Sequence, residues 1–291
     1  MKSRNNPTGA GACNAVHPFT RGCHARGWGV RVVLTVIVAA VATEGVHAWG
    51  PVGHRAVAEI ARARLTAAVR SEIQRLLGGA SMADVAVWAD EVRETTHPET
   101  ANWHIVNTPI TTSGYLASRD CQPLEWGDCI LAALPRLEVR MRNARLPIVQ
   151  RRETLMFLIH LIGDLHQPLH VGENGDRGGN QRRLAPIGGS ENLHSAWDSG
   201  IIRDSRGSIR SLASAAAAWL ETQTASTLTA GRYEDWAAEG FRVSRDFVYP
   251  QIADGRISVR ERDEAMRVIE RRIAMAGARL AAVLNRTLAR P

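Results

Sequence analysis

Residues 157–170 set strict conditions on any fold of this 291-residue chain. They read Phe-Leu-Ile-His-Leu-Ile-Gly-Asp-Leu-His-Gln-Pro-Leu-His and continue a strongly apolar helical pattern that covers residues 153–165. A helix so apolar has to be buried, yet it carries His160 and Asp164, which are four residues apart and therefore project from one face. Because an unpaired charge in that environment costs several kcal/mol, the fold must bring a partner to this pair.

The pattern of apolar residues elsewhere is also helical. They recur at spacings of three and four over residues 51–77, where Gly78-Gly79 ends the pattern. The same periodicity predicts further helices over residues 81–93, 128–145, 192–198, 209–224, 233–248 and 257–288. Residues 101–120 contain short extended pieces, residues 171–189 are Gly-rich and irregular, and no repeat or linker is evident. We therefore predict an all-α fold, a single mostly helical domain.

The N-terminal part of the chain has the pattern of an export signal. Residues 31–48 combine a basic start, an apolar run and a small-residue end, and Val46 with Ala48 fits cleavage before Trp49. The apolar run is shorter than the roughly 20 residues that a membrane-spanning helix needs. We predict that residues 1–48 are a signal peptide that is removed, leaving domain 49–291 in the periplasm or outside the cell. An uncleaved anchor is the alternative, and a true start beyond Met1 stays open.

The charge of the chain does not decide its partner. The formal net charge is +7, but residues 1–48 hold five of the 36 basic residues and one of the 29 acidic residues. The predicted mature chain therefore has a small positive charge, which neither requires nor excludes an anionic ligand.

Two cysteines remain after removal of residues 1–48. Cys121 and Cys129 are eight residues apart, and a pair at this separation can close a small loop. We predict a disulfide, because two thiols without neighbouring ligands do not complete a zinc site. A disulfide also agrees with export.

The His/Asp spacing of the buried helix occurs a second time. His194 and Asp198 repeat it, and His170 follows the first pair closely. Imidazole nitrogen and carboxylate oxygen are normal zinc ligands, and helical spacing lets two rigid side chains bind one ion. A single pair is more often an ordinary hydrogen bond, but two pairs with a further histidine favour a metal site. Pro168 is expected to end the helix, which would direct His170 toward a different ion.

These residues belong to a series of motifs that covers nearly all of residues 49–291. In chain order the motifs are Trp49-Gly-Pro-Val-Gly-His54, Trp88-Ala-Asp90, Trp103-His104, residues 157–170, Gly175-Asp-Arg-Gly-Gly-Asn180, Asn192-Leu-His-Ser-Ala-Trp-Asp198 and Ala276-Gly-Ala-Arg-Leu-Ala-Ala-Val-Leu-Asn285. In this order they resemble the plant and fungal trizinc single-strand-specific nucleases of the mung bean nuclease type. That family shares its metal cluster and helical fold with bacterial zinc phospholipase C.

The resemblance implies a cleft with three zinc ions. The implied ligands are Asp90, His104, His160 and Asp164 for the first ion; His54, a bridging Asp164 and the amino nitrogen and carbonyl oxygen of Trp49 for the second; and His170, His194 and Asp198 for the third. The second site requires processing, because a peptide nitrogen cannot donate a lone pair to zinc as a free amine can.

The resemblance also implies the chemistry. Two ions that share a carboxylate lower the pKa of a water molecule, whose hydroxide attacks phosphorus, and the third ion stabilises the departing 3′ oxygen. Asp90 and Asp164 are then catalytic as well as ligands, and Arg93 faces the phosphate. The expected substrates are single-stranded DNA and RNA, cut to 5′-phosphorylated products, and 3′-nucleotides.

A base pocket beside the cluster is implied at Ile105, Asn107 and the loop from Asp176 to Asn180, with Asp176 and Asn180 as substrate-binding residues. The family often has an aromatic residue at the position of Ile105, and stacking on an aromatic contributes about 1 to 3 kcal/mol per base. Base affinity is therefore expected to be weaker here or to come from other residues.

Two other interpretations remain open at this point. A zinc phospholipase C on the same scaffold would act on lipid headgroups, although no exposed apolar helix suited to a membrane surface is evident. A non-catalytic zinc- or nucleic-acid-binding protein would keep the metals without turnover. Neither stable membrane association after cleavage nor an obligatory protein partner is expected.

Overall fold

The computed structural model of the protein describes residues 49–124, 127–252 and 254–289, and the predicted signal peptide lies outside them. Helices dominate these residues, which confirms the predicted fold class. The α-helices are α1 (Pro51–Ala63), α2 (Ala67–Leu77), α3 (Trp88–Arg93), α4 (Ala117–Asp120), α5 (Ile130–Arg142), α6 (Ile148–Asp164), α7 (Pro168–Val171), α8 (Leu193–Ser195), α9 (Ile201–Asp204), α10 (Ile209–Glu221), α11 (Ala225–Thr229), α12 (Tyr233–Val243) and α13 (Val259–Leu288).

The remaining regular structure is short. A parallel pair joins β1 (Thr108–Pro109) to β2 (Gly172–Glu173), and an antiparallel pair joins β3 (Arg183–Ile187) to β4 (Ser190–Asn192). There are 3₁₀ helices at Pro98–His104 and Pro250–Ile252, and π-helical turns at Ala196–Gly200 and Ser244–Val248. The β3–β4 hairpin overlaps the Gly-rich stretch that was predicted to be irregular.

The prediction of one helix over residues 51–77 is wrong in the middle, where the chain breaks between α1 and α2. Thr66 has an extended backbone, and its side chain accepts a hydrogen bond from the backbone N–H of Val69 at 3.3 Å. Asn285, far along the chain, stabilises the break: its Oδ1 accepts from Thr66 N–H and its Nδ2 donates to the carbonyl of Arg64. Because these bonds are tertiary, apolar periodicity cannot reveal them.

The prediction of a helix over residues 81–93 holds only for its second half. The backbone N–H groups of Ser81 and Asp84 each donate to the side chain of the other residue, at 2.9 and 3.1 Å. Turns follow, and the helix begins at Trp88. Reciprocal bonds of this kind form a capping box, which favours a helix start, yet residues 82–87 form turns instead.

Helix α13 is the centre of the helical packing, against α1, α6 and α10. Ser258 and Glu261 form a capping box at its start. Gly277 permits the close approach of α1, because a Cβ atom there would lie 2.6 Å from the Cβ of Ile60. This packing gives α1 a fixed position beside α6.

Helix α6 is buried on all sides over residues 154–164, as the apolar sequence predicts. It ends at Asp164, four residues earlier than the expected stop at Pro168. Pro168 instead begins α7, where its missing N–H costs nothing, and the Gln167 side chain caps this helix by accepting from Leu169 N–H. The turn between α6 and α7 therefore directs His170 away from the His160–Asp164 pair.

Cys121 and Cys129 form the predicted disulfide. None of the helices in the described part of the chain combines the length and apolar character needed to cross a bilayer.

Candidate metal centre

Eight buried side chains from separate parts of the chain converge in the structure, each at most 3% exposed. We call them the His/Asp cluster: His54, Asp90, His104, His160, Asp164, His170, His194 and Asp198. They contain three groups in which the possible ligand atoms all lie within 4.8 Å of one another: His54, Asp90 and His160; His104, His160 and Asp164; His170, His194 and Asp198. The last group coincides with the set predicted for the third ion.

The His160–Asp164 pair of α6 is the centre of the cluster. His160 Nε2 lies 3.3 Å from Asp164 Oδ2 and 3.5 Å from Asp90 Oδ1, while His104 Nδ1 lies 2.8 Å from Asp164 Oδ2. The Nδ1–H of His160 donates to the carbonyl of Ala86 at 2.7 Å. This bond fixes the ring so that Nε2 faces the two carboxylates.

His54 of α1 reaches the other oxygen of the same carboxylate. Its Nε2 lies 3.2 Å from Asp164 Oδ1, without the alignment of a hydrogen bond, and its ring stacks on His160 with centroids 3.9 Å apart. Gly163 makes room for this ring, because a Cβ there would lie 2.8 Å from His54 Nδ1. Asp164 therefore has histidine nitrogens near both oxygens, the arrangement of a bridging carboxylate.

The third group brings two histidine nitrogens face to face. His170 Nδ1–H donates to the carbonyl of His104 at 2.8 Å, and His194 Nδ1–H donates to that of Gly178 at 2.7 Å. Each neutral ring therefore presents the lone pair of its Nε2, and these two Nε2 atoms are only 3.1 Å apart. Asp198 Oδ2 lies 3.2 Å from His194 Nε2.

The pKa shifts agree with this protonation. Burial lowers the pKa of His170 to about 3 and that of His194 to about 4, so both rings are neutral near pH 7. Burial opposes a charge on His160 too, but Asp164 and Asp90 outweigh it and raise the pKa of His160 to about 10. Burial lowers the pKa values of His54 and His104, so positive charge is favoured at His160 alone in this part of the cluster, and the third group presents facing lone pairs.

These observations fit a metal. His54 Nε2, His160 Nε2 and Asp164 Oδ1 are buried without a hydrogen-bond partner among the described residues. Such atoms are costly unless something binds them. Imidazole and carboxylate suit zinc, and the carbonyl bonds at His160, His170 and His194 are the kind that fix metal-binding histidines. The groups of the His/Asp cluster could therefore bind metal ions.

A known protein family covers the part of the chain that contains the His/Asp cluster. The family model described as S1/P1 Nuclease matches residues 49–289. The chain belongs to the S1/P1 nuclease family. It is 28% identical to Endonuclease 2 of Arabidopsis thaliana, over 89% of this chain and 97% of the relative. It is 28% identical to Nuclease S1 of Aspergillus oryzae, over 84% and 93%, and 34% identical to Nuclease P1 of Penicillium citrinum, over 52% and 57%. The predicted family and the hydrolytic nuclease activity are thereby confirmed.

A cavity of about 350 Å³ opens beside the third group of this S1/P1 nuclease. His170 and His194 line it together with Arg93, whose Nη2 lies 3.3 Å from Asp90 Oδ1. Three predicted substrate-binding residues also line it: Ile105, Asn107 and Asn180.

Asp176, the fourth predicted substrate-binding residue, is not among the residues that line this cavity. Its Oδ1 accepts hydrogen bonds from the backbone N–H of Gly179 at 2.8 Å and from the hydroxyl of Tyr249 at 2.7 Å. The carboxylate therefore holds the loop that carries Asn180.

Trp49 is fully buried at the edge of the cluster. The neighbouring Gly50 N–H donates to the carbonyl of Asp198 at 2.8 Å, and a Cβ on Gly50 would lie 1.9 Å from Ser199 Oγ. This glycine therefore lets the beginning of the domain contact the segment that carries Asp198.

Sequence reasoning missed one residue near the cluster. Gln167 is buried, donates to Asp198 Oδ1 and accepts from Leu169 N–H, so it joins a candidate ligand to the turn before His170. Arg177 lines the cavity. Gln167 could have been suspected as a polar residue inside an apolar motif. Arg177 belongs to the loop Asp176–Asn180, which the resemblance had placed at the base pocket.

His166 lies on the same segment but belongs to a different group, which we call the Arg/Glu network: the buried His166, Arg272 and Arg279, and the partly exposed Glu239. Its Nδ1–H donates to the carbonyl of Ile162 at 2.7 Å, and its Nε2 accepts from Arg279 at 2.9 Å. Burial and the two arginines hold the pKa of His166 well below its usual range. His97 contacts Glu99 and is outside both groups.

Proposed function

We propose that this S1/P1 nuclease is a secreted zinc phosphodiesterase with three ions, which hydrolyses single-stranded DNA and RNA to 5′-phosphorylated products and has 3′-nucleotidase activity. One observation carries the proposal: the facing Nε2 atoms of His170 and His194, 3.1 Å apart, lie at a cavity lined by Arg93. Two neutral imidazoles repel each other in this geometry unless a cation lies between them. A cation between the two Nε2 atoms would lie near Arg93, whose guanidinium can bind a phosphate group.

The proposed ligands follow the three groups. Trp49 and His54 would hold one ion with Asp164, whose two oxygens face different histidines. The other ligands are Asp90, His104 and His160 for the ion that shares Asp164, and His170, His194 and Asp198 for the third. Bound zinc supplies Lewis acidity, which lowers the pKa of water and neutralises phosphate charge.

The protein residues position the substrate. Arg93 is 11% exposed, so its guanidinium is largely removed from bulk water and can form strong charged hydrogen bonds to the scissile phosphate. Asp90, 3.3 Å away, limits its freedom before the substrate binds. Arg93 therefore stabilises the transition state through its position as well as its charge.

The lining of the cavity supports a preference for single strands. Ile105, Asn107 and Asn180 line it, and a base that bound them would have to leave its partner in a duplex. Asparagine side chains can bond base edges, whereas Ile105 offers apolar contact without aromatic stacking. A second cavity, of about 320 Å³, shares Ile105 and Asn107 and extends the lined surface.

The N-terminal ligand makes the proposal sensitive to processing. If the amino group of Trp49 binds zinc, any preceding residue replaces a basic amine with a peptide nitrogen. We expect a protein that retains one extra residue before Trp49 to be at least about a hundredfold less active, with less bound zinc. N-terminal sequencing of the exported protein and zinc analysis of both forms are the measurements. Equal activity and zinc content in the two forms would remove Trp49 from the ligand set.

The deciding experiment combines metal analysis with a substrate panel. We expect about three zincs per mature chain, and hydrolysis of denatured DNA and RNA well above that of duplex DNA. Preferential hydrolysis of phosphatidylcholine would instead favour a phospholipase C. Binding of nucleic acid without zinc-restored hydrolysis would favour a passive binding protein.

A further inference from the structure

Arg177 has a backbone conformation that is costly for its residue type. Its φ is +58°, in the left-handed region that glycine occupies freely, and Gly178 and Gly179 beside it also have positive φ. An arginine here has a steric penalty that a third glycine would avoid. The surrounding contacts must therefore hold the backbone in place.

The loop is anchored on both sides of Arg177. Asp176 accepts from Gly179 N–H and Tyr249 OH, and the side-chain amide of Asn180 donates to the carbonyl of Arg177 at 2.8 Å. The carbonyl of Gly178 accepts from His194 Nδ1 at 2.7 Å. The loop is thus bonded directly to the candidate zinc ligand, and the base of the Arg177 side chain has a fixed position relative to it.

The two arginines of the cavity differ in their partners. Arg93 contacts Asp90, whereas Arg177 is exposed and has no carboxylate within 4.0 Å in residues 49–124, 127–252 and 254–289. Its guanidinium is consequently available to an anion that enters the cavity. The cavity already has Arg93 and the third group for the scissile phosphate, so a further cation at the exposed side suits a different phosphate.

We infer that Arg177 binds the phosphate next to the scissile one in a polynucleotide, and that it makes the enzyme favour chains over substrates with a single phosphate. This inference rests on the proposed function. Arg177 is a specificity residue in this scheme: it contacts substrate, but not the reacting atoms. Its contribution is electrostatic and therefore falls as salt rises.

The test compares two substrates and two matched variants. A dinucleoside monophosphate contains only the scissile phosphate, whereas a short single-stranded oligonucleotide has neighbouring phosphates as well. Arg177→Gly removes the guanidinium and relieves the backbone strain, so folding is preserved. Arg206→Gly is the control, because Arg206 is also exposed, has a φ of +56° and is not among the residues that line the cavity.

We expect Arg177→Gly to lower kcat/KM for the oligonucleotide about tenfold at low salt and to change it less than about twofold for the dinucleoside monophosphate. The slope of log kcat/KM against log salt for the oligonucleotide should become shallower by about 1. Arg177→Lys should keep most of the native kcat/KM for the oligonucleotide. Arg206→Gly should have the kcat/KM and the salt slope of the native protein.

Equal losses on both substrates would overturn the inference, since they would mean that Arg177 acts on the scissile phosphate or on the metal loop. An unchanged salt slope, or the same losses in Arg206→Gly, would also overturn it. Failure of the proposed function looks different, because the native protein itself would then hydrolyse neither substrate. Melting curves of the variants, with Tm within about 3 °C of the native value, check that folding is not the cause.

Discussion

Two groups of largely buried ionisable residues each include a histidine of residues 160–170, and they differ in how their polar atoms are paired. In the Arg/Glu network, Arg279 donates to both oxygens of Glu239 at 2.7 Å and to His166, and Arg272 donates to Glu239 and to the carbonyl of His166. In the His/Asp cluster, His160 Nε2 and Asp164 Oδ1 have no hydrogen-bond partner among the described residues. The Arg/Glu network pairs its histidine and arginines, whereas the His/Asp cluster leaves atoms that a metal ion could bind.

His160 and His166 differ in what binds their Nε2 atoms. Both rings are fully buried and both donate Nδ1–H to a backbone carbonyl. The Nε2 of His166 accepts from an arginine, whereas that of His160 faces carboxylates. Burial and an altered pKa are therefore not sufficient signs of a metal ligand. The atom that remains without a hydrogen bond is the more informative sign.

Metal removal should separate the two groups most strongly. We expect exhaustive treatment with EDTA to lower phosphodiesterase activity more than about a thousandfold and Tm by about 10 °C, because the cluster loses the ions that offset its desolvation. Added zinc should restore both. Calorimetry and a hydrolysis assay are the measurements, and retention of full activity in metal-free protein would contradict the proposed centre.

Alanine substitutions at the two histidines sharpen the contrast. His160→Ala should lower activity at least about a hundredfold and reduce bound zinc, since it removes a proposed ligand. His166→Ala should retain the native zinc content and most of the activity of the folded protein, with unfolding free energy lower by about 2 to 3 kcal/mol. Zinc analysis and urea unfolding of both variants check this, and a loss of zinc from His166→Ala alone would reverse our distinction.

Glu239→Gln tests whether the Arg/Glu network is purely structural. The substitution keeps the shape of the side chain but leaves two nearly buried arginines without their anion, and we expect it to lower the unfolding free energy by about 3 kcal/mol. Zinc content and kcat/KM should stay within about twofold of the native values. Chemical denaturation gives the first quantity, and an unaltered stability would show that the pairs are replaceable.

Gln167→Met should have the smallest effect. It preserves side-chain length while removing the hydrogen bond to Asp198 and the cap on Leu169 N–H. We expect the affinity of the weakest-bound zinc to fall about tenfold, with a smaller change in Tm. Competition with a chelator measures the affinity, and Gln167→Glu, which keeps the cap but repels Asp198, should bind this zinc more weakly than the native protein.

Local periodicity predicted the long elements well, and it failed where distant residues intervene. Helices α5, α10, α12 and α13 lie within the predicted ranges, because each has its apolar residues on one side. The break at Thr66 depends on Asn285, and apolar periodicity did not reveal the turns at residues 82–87 that delay the start of α3. Spacing also could not predict that Asp176 holds its loop through Tyr249.

The sequence by itself determined the helical class, the disulfide partners and the residue types able to bind zinc. Repeated His-x-x-x-Asp spacing and the ordered motifs also indicated the family. Only the tertiary structure decided which histidines meet. His54 reaches His160 and Asp164 through the packing of α1 on α6. His194 is held opposite His170 by its hydrogen bond to the loop carbonyl of Gly178. The tertiary structure also decided which buried histidine is already satisfied, since a hydrogen-bond partner such as Arg279 lies 113 positions away in the chain. Helical spacing acts over a few residues, whereas desolvation and pairing depend on everything that the fold brings within a few ångströms.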